Sequence, residues 1–272
     1  MKVIARTVVK PVNDIYQNNV HRKNEDAYKI FSNRIAVSDG AGGIGILADC
    51  WAKLLVKKIP KQPFDGIEGL DRWIAKFWEE FYNHNRQKLK DDIWKLKKFD
   101  SEGSLATLSV LWEIRPGNFI YQSYGDSVMF VFDEDKGTLQ IQKNMTELNS
   151  FSLNPDLLNW KTEKHKKDKF YSQTICLKEN ESIIIATDGI GMYIYGAYIA
   201  YKNNFNNLNI PNNKIGNIIK YYQNNKIDNF SKWMNSIRKN LKNNKIFKDF
   251  TNNLYHNCYL PNDDYTLAWI SR

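Results

Sequence analysis

Residues 38–43, Ser-Asp-Gly-Ala-Gly-Gly, have side-chain types and a spacing that could bind a metal ion. They follow a short apolar run with β-branched residues at 35–37, which predicts a buried strand. Asp39 lies at the end of this strand, and the glycines allow a sharp turn that brings carbonyl oxygens close to a ligand. Such oxygens bind hard cations, but an Asp-Gly pair is also common in ordinary turns. The segment alone leaves both interpretations open.

Further acids occur where other apolar segments begin or end. They are Glu25, Asp26, Asp126, Asp188 and Asp263. If these segments are neighbouring strands, the acids converge at one edge of the sheets, and clustered carboxylates repel one another unless cations neutralise them. An oxygen-only ligand set favours Mg²⁺ or Mn²⁺ over Zn²⁺. Two such ions could activate a water molecule for attack on phosphorus.

The apolar patterns along the chain predict the elements that position these acids. Strands are expected at residues 3–9, 26–31, 35–37, 104–114, 119–124, 128–132, 138–142, 172–177, 183–186 and 265–270. Helical periodicity occurs at 46–59, in one longer segment after Gly66, at 189–198 and twice within 203–257. This order of strands and helices predicts a layered α+β fold.

Composition limits the function classes. The 272 residues are 42% hydrophobic, enough for a substantial core. No apolar stretch is long enough to cross a membrane, and charges interrupt the N-terminus too early for a signal peptide. The three cysteines cannot all pair and lack the spacing of a zinc site, so we expect a cytoplasmic protein with no membrane partner.

The net charge of +9 would attract anionic partners. Much of it lies in Lys- and Asn-rich segments at 161–169 and 239–248, away from the acidic motifs. A solvated basic surface is therefore favoured over a nucleic-acid site.

Six short motifs occur in an order that resembles the metal-dependent type 2C serine/threonine protein phosphatases in their compact bacterial form. They are Asn-Glu-Asp-Ala at 24–27, Ser-Asp-Gly-Ala-Gly-Gly at 38–43, Gly-Ser-Leu-Ala at 103–106, Gly-Asp-Ser at 125–127, Ala-Thr-Asp-Gly at 186–189 and Asp-Asp-Tyr-Thr at 263–266. Each motif alone is weak evidence, but the ordered set covers nearly the whole chain.

The resemblance implies an α+β fold, a four-layer α-β-β-α sandwich of two antiparallel β-sheets flanked by helices. It implies one catalytic domain over residues 1–272, with a helical insertion at about 190–257. The expected activity is hydrolysis of phosphoserine and phosphothreonine in a phosphoprotein substrate. The expected setting is a monomer that opposes a cognate Ser/Thr kinase.

By the same resemblance, two Mg²⁺ or Mn²⁺ ions lie at one end of the sandwich. Asp39 would bridge both, with the Gly40 carbonyl and Glu25 on the first ion. Asp188 and Asp263 would hold the second ion. The nucleophile would be the water or hydroxide between the two ions.

Three more residues receive roles from the resemblance. Asp26 is similar to the acid that orients the metal-bound water. Asp126 is similar to the acid that helps to hold a third, weakly bound metal near the phosphate. Ser104 matches a strand-packing position and is not expected to be a nucleophile.

The chain also departs from the family pattern. The usual phosphate-binding Arg is replaced by His21, and Arg22 lies one position late, so either residue is a candidate to bind substrate phosphate. Val128 replaces an Arg, and Leu105 replaces a Thr. Ala41 stands where some members have a His, so no side chain is evident as a general acid.

Two other functions remain open. A pseudophosphatase would keep the fold to bind a phosphoprotein without turnover, and only the change at His21 supports it. A metal-dependent nuclease would need basic and aromatic residues beside the acids.

The polar segment 203–257 also leaves two arrangements open. Trp233, Met234 and Ile237 give it an apolar face, which predicts helices rather than disorder. These helices could pack beside the acidic edge and shape substrate access, or they could lie on the outer face of a sheet.

Overall fold

Two five-stranded antiparallel sheets form the centre of the computed structural model, which describes residues 1–11, 23–43, 45–142, 155–202, 210 and 212–272. The strands are β1 (Lys2–Val8), β2 (Ala27–Ile30), β3 (Arg34–Ser38), β4 (Leu105–Ala106), β5 (Leu108–Arg115), β6 (Asn118–Tyr124), β7 (Val128–Asp133), β8 (Thr138–Ile141), β9 (Leu158–Asn159), β10 (Phe170–Cys176), β11 (Glu181–Ala186) and β12 (Tyr265–Ser271). Sheet A has the order β1-β12-β11-β7-β8, and sheet B has the order β10-β6-β5-β3-β2. The short strands β4 and β9 pair separately.

Helices cover the outer face of each sheet. They are α1 (Ala48–Lys58), α2 (Gly66–Ile74), α3 (Trp78–Lys88), α4 (Ile93–Glu102), α5 (Asp188–Lys202), α6 (Lys214–Asn224), α7 (Phe230–Asn240) and α8 (Asn244–His256). The first four pack on sheet B and the last four pack on sheet A. A short 3-10 helix, Lys167–Lys169, precedes β10.

The alternation of side chains along each strand produces three apolar cores. In β3, Ile35 and Val37 point between the sheets, whereas Ala36 faces the α1–α4 layer. In β11, Ile183 and Ile185 join the core between the sheets. Because both faces of these strands are buried, their sequences are continuous apolar runs. The predicted four-layer α-β-β-α sandwich is confirmed.

Two predicted elements on sheet B differ in detail. The helical segment after Gly66 is two helices, because the chain leaves the α conformation at Phe77 (φ −143°) between α2 and α3. The predicted strand 104–114 is interrupted at Thr107. Before this residue, β4 pairs with β9 in a separate two-stranded sheet, and after it β5 belongs to sheet B. Helix α4 has no counterpart in the sequence expectations.

The Asn-rich C-terminal segment forms helices that start at asparagine caps. The side chains of Asn213, Asn229 and Asn243 accept hydrogen bonds from the first turns of α6, α7 and α8. Their apolar faces pack on the outer face of sheet A. This packing corresponds to the second of the two arrangements, and an effect of these helices on substrate access stays a prediction. Among the described residues, no helix is long and apolar enough to cross a membrane.

Candidate metal centre

Five predicted acids line one cavity of about 300 Å³ at one end of the sandwich. Glu25 precedes β2, Asp39 follows β3, Asp126 precedes β7, Asp188 follows β11 and Asp263 precedes β12. Because β11 is antiparallel to both β7 and β12, its end lies beside their starts. The strand register therefore brings together acids that are far apart in the chain.

A hydrogen-bond network links Asp39 in sheet B to the start of β7 in sheet A. The Asp39 backbone N–H donates to Thr107 Oγ1 at 3.0 Å, and Thr107 N–H donates to the Asp39 carbonyl at 2.8 Å. Thr107 Oγ1 also lies 2.9 Å from Ser127 Oγ. Thr107, which lies between β4 and β5, thus holds the backbone of Asp39 through its hydroxyl.

Asp26 is buried beside this cavity, with 2% of the residue exposed, and neither carboxylate oxygen has a hydrogen-bond partner. Burial raises its pKa to about 8, and the hydroxyls of Thr266 and Thr187 lie near enough to lower that pKa in part. Neither hydroxyl meets the geometry of a hydrogen bond to Asp26. A buried carboxyl without partners requires a proton, a water molecule or a cation.

The acids that line the cavity raise one another's pKa. Burial, followed by neighbouring carboxylates, raises the pKa of Asp39 and Asp188 well above the usual range. Burial raises the pKa of Asp126 to about 6, and it also raises the pKa of Glu25 and Asp263. Without cations, part of this cluster would be protonated near neutral pH.

The backbone around Glu25 leaves no room for extra atoms. A Cβ at Gly42 would lie 1.8 Å from Glu25 Oε1, and a Cβ at Gly40 would lie 2.7 Å from the Glu25 carbonyl oxygen. Glycine at these positions therefore lets the turn after β3 close on the Glu25 carboxylate. This contact positions Glu25 beside Asp39 in the cavity.

Within the described ranges, no three His, Cys, Asp or Glu side chains already have the arrangement of a metal site. The acids share a cavity without forming a closed coordination shell, as expected for carboxylates that repel one another. All potential ligand atoms are oxygens, and both carboxylate oxygens of Asp26 lack hydrogen-bond partners. The turn at Gly40 and Gly42 packs directly against Glu25. These residues fit Mg²⁺ or Mn²⁺.

Two residues that received no role from the sequence also belong to this region: Asp264, the second of the paired acids before β12, and Lys10. Asp264 is 2% exposed; its Oδ1 accepts from Lys10 N–H at 2.7 Å and its Oδ2 accepts from Glu25 N–H at 2.6 Å. The side chain of Lys10 lines the cavity. The adjacent acids at 263 and 264 could have suggested two roles on opposite sides of an extended chain, but nothing marked Lys10.

The candidate phosphate-binding residues His21 and Arg22 lie outside the described residues. The other family departures lie in described parts. Val128 pairs with Ala186 at the start of β7, Leu105 lies in β4, and Ala41 lines the cavity without a titratable group.

Solved bacterial phosphatases share this architecture over nearly the whole chain. The PPM Ser-Thr phosphatase MsPP from Mycobacterium smegmatis, solved with cacodylate, aligns over 100% of this chain and 98% of its own, with a TM-score of 0.55 and 12% identity. PppA, a regulatory component of the T6SS in Pseudomonas aeruginosa, aligns over 99% and 96%, with a TM-score of 0.53 and 15% identity.

The Mycobacterium tuberculosis serine/threonine phosphatase PstP/Ppp aligns over 100% of this chain and 98% of its own, with a TM-score of 0.52 and 12% identity. Neither a protein-family model nor a curated protein matches the sequence. At such low identity the likeness establishes the fold, which is that of the PPM, or type 2C, phosphatases.

Proposed function

We propose that this chain, with its PPM phosphatase fold, is a metal-dependent phosphatase that hydrolyses phosphoserine and phosphothreonine in proteins. One observation carries the proposal. Five acids in separate motifs of the sequence line the same cavity at the sheet ends. Among the described lining residues there is one cation and no aromatic side chain, so the basic and aromatic surface expected of a nuclease has no support.

The cavity residues divide between two ions in the proposed site. Asp39 would bridge them, with Glu25 and the Gly40 carbonyl on one side and Asp188 and Asp263 on the other. Asp126 would help to hold a third, weaker ion. When bound, the cations would activate a water molecule and stabilise charge on the phosphoryl group.

The chain's own groups would orient the reactants. Asp26 has two unpartnered oxygens and lies next to Asp39, so it would accept a hydrogen bond from the attacking water. His21 or Arg22 would bind the substrate phosphate. Ser104 is fully buried and its hydroxyl donates to the Ile46 carbonyl, so a covalent phosphoserine intermediate is not part of the proposal.

We further propose that residues 1–272 act as one catalytic domain, in which the helices at about 190–257 form the outer layer on sheet A. The substrate would be a phosphoprotein, and its phosphate would come from a cognate Ser/Thr kinase.

The decisive assay is phosphate release from phosphothreonine and phosphoserine peptides with and without Mn²⁺. We expect release that requires Mn²⁺, stops with a chelator and is lost in Asp39→Asn. A phosphotyrosine peptide and single-stranded DNA serve as control substrates. Phosphopeptide binding without phosphate release would favour the pseudophosphatase, and DNA cleavage without phosphate release would favour the nuclease.

A further inference from the structure

Lys10 is the one cation among the described residues that line the acidic cavity. Its Nζ lies 3.6 Å from Glu25 Oε2, and the two side chains are 24% and 28% exposed. The proposed metal site has no role for a lysine at this position. An ammonium beside a carboxylate that should bind a divalent cation therefore needs an explanation.

The backbone holds this pair in place. The buried carboxylate of Asp264 accepts two hydrogen bonds, one from the backbone N–H of Lys10 and one from the backbone N–H of Glu25. Charge-assisted hydrogen bonds of this kind are short and strong. The backbones of Lys10 and Glu25 are therefore held side by side at the junction of β1, β2 and β12, which keeps their side chains within reach of each other.

The described neighbours of Lys10 in this region are acids. Glu25 pairs with its ammonium, Asp263 lines the same cavity, and Asp264 accepts a hydrogen bond from its backbone N–H. No other described residue that lines the cavity carries a positive charge, so the ammonium of Lys10 offsets part of the repulsion among these carboxylates.

We propose that Lys10 is a built-in counter-ion of the metal-free site, which pairs with Glu25 until a divalent cation takes that carboxylate. This inference rests on the proposed metal site and concerns how its occupancy is set. A partly exposed single pair of this kind adds little to folding stability. It nevertheless opposes metal binding, because the incoming ion must break the pair and then lie close to a positive charge.

The test is calorimetric titration of the full chain with MnCl₂, which needs no substrate. Replacing Lys10 by Met removes the charge and keeps an unbranched side chain. We expect Lys10→Met to bind Mn²⁺ about tenfold more tightly, the change that one modest charge interaction produces. Lys10→Arg keeps the charge and should bind Mn²⁺ like the parent, and Lys10→Gln is a second neutral variant if the Met variant folds poorly.

Lys136→Met is the matched control. Lys136 also pairs with a carboxylate, Asp133, at 2.9 Å, but it is not among the described residues that line the cavity and lies beyond the opposite end of β7. We expect its Mn²⁺ affinity to equal that of the parent. The same gain in Lys136→Met as in Lys10→Met would mean that net charge alone is responsible, and it would overturn the assignment.

Other outcomes separate this inference from the proposed function. Unchanged or weaker Mn²⁺ binding in both neutral variants, beside Mn²⁺-dependent activity in the parent, would overturn the role of Lys10 and leave the phosphatase proposal intact. A gain in Lys10→Arg equal to that in Lys10→Met would show a steric effect and would also overturn it. A parent protein that binds no Mn²⁺ would overturn both proposals.

Discussion

Carboxylates occur at both ends of the paired strands β7 and β11, but the electrostatic surroundings of the carboxylates differ between the two ends. At the far end, Asp133 accepts hydrogen bonds from the backbone N–H groups of Asp135 and Lys136, and its Oδ2 lies 2.9 Å from Lys136 Nζ. These contacts lower the pKa of Asp133. At the cavity end, burial and neighbouring acids raise the pKa of Asp126 and Asp188.

This difference separates structural acids from candidate functional acids on the same strands. A carboxylate whose own turn supplies its donors stabilises the fold as an anion. Carboxylates that are buried together without enough positive partners destabilise the fold at neutral pH unless a ligand supplies the charge. The contrast therefore places the candidate functional acids at the cavity end, where a proton, a water molecule or a cation must compensate for their burial.

Asp39→Asn should have the largest effect, because it removes the acid that would bridge both ions. We expect phosphatase activity to fall on the order of 1000-fold and Mn²⁺ binding to weaken in calorimetry. The metal-free variant should unfold at a higher temperature than the parent at pH 8, because an amide avoids the cost of burying a carboxyl group whose pKa is raised by burial and by neighbouring acids. Unchanged Mn²⁺ binding would contradict the assignment of Asp39.

The pH dependence of stability should differ between the metal-free and metal-bound proteins. The folded-state pKa values of Asp26, about 8, and Asp126, about 6, lie above those of the unfolded chain. Between pH 5 and pH 8 the folded state therefore binds more protons, so the metal-free protein should lose stability as the pH rises. Thermal unfolding in chelator tests this.

Saturating Mn²⁺ should cancel that loss, because the cations stabilise the same carboxylates as anions. A metal-free protein that is equally stable at pH 5.5 and pH 8 would contradict the raised pKa values of Asp26 and Asp126 in the folded state.

Gly42→Ala should weaken Mn²⁺ binding about tenfold. The new Cβ would lie 1.8 Å from Glu25 Oε1 and must displace that carboxylate. Gly43→Ala is the matched control, since a Cβ there has nothing within 4 Å. Equal Mn²⁺ affinities of the two variants in calorimetry would remove Glu25 from the proposed site.

Asp133→Ala should have the smallest effect on function. It deletes the acceptor of two backbone N–H groups in the β7–β8 turn, so we expect a loss of about 1 kcal/mol in the free energy of unfolding. Denaturant unfolding measures this loss, and peptide dephosphorylation should be unchanged. A large loss of activity would mean that the two ends are not independent.

The sequence predicted the convergence of acids because each acid lies at a strand end, where the local pattern determines its place. The contact between Lys10 and Asp264 could not be found in this way. Their hydrogen bond joins residues 254 positions apart, and that of Asp264 to Glu25 spans 239 positions. Such contacts depend on how β1, β2 and β12 meet, and no local pattern contains that information.

The helical errors have a similar cause. The apolar spacing of Trp73, Phe77 and Phe81 continues without interruption through the break between α2 and α3, so periodicity alone predicted one helix. The rings of Trp73 and Phe77 still pack together at 5.0 Å, and Phe81 lies 5.0 Å from Trp51. The aromatic core therefore continues across the break, and the apolar spacing gives no sign of it.

Strand β12 carries a consequence for how the protein is made. It is the last of the described elements along the chain, yet it lies between β1 and β11 inside sheet A. During synthesis, β1 therefore cannot pair with β12 until the other described elements have been made. The edges of β1 and β11 that later bind β12 stay unpaired for most of that time. Asp263 arrives with the same strand, so a nascent chain would gain its sheet and its full set of cavity acids in one late step.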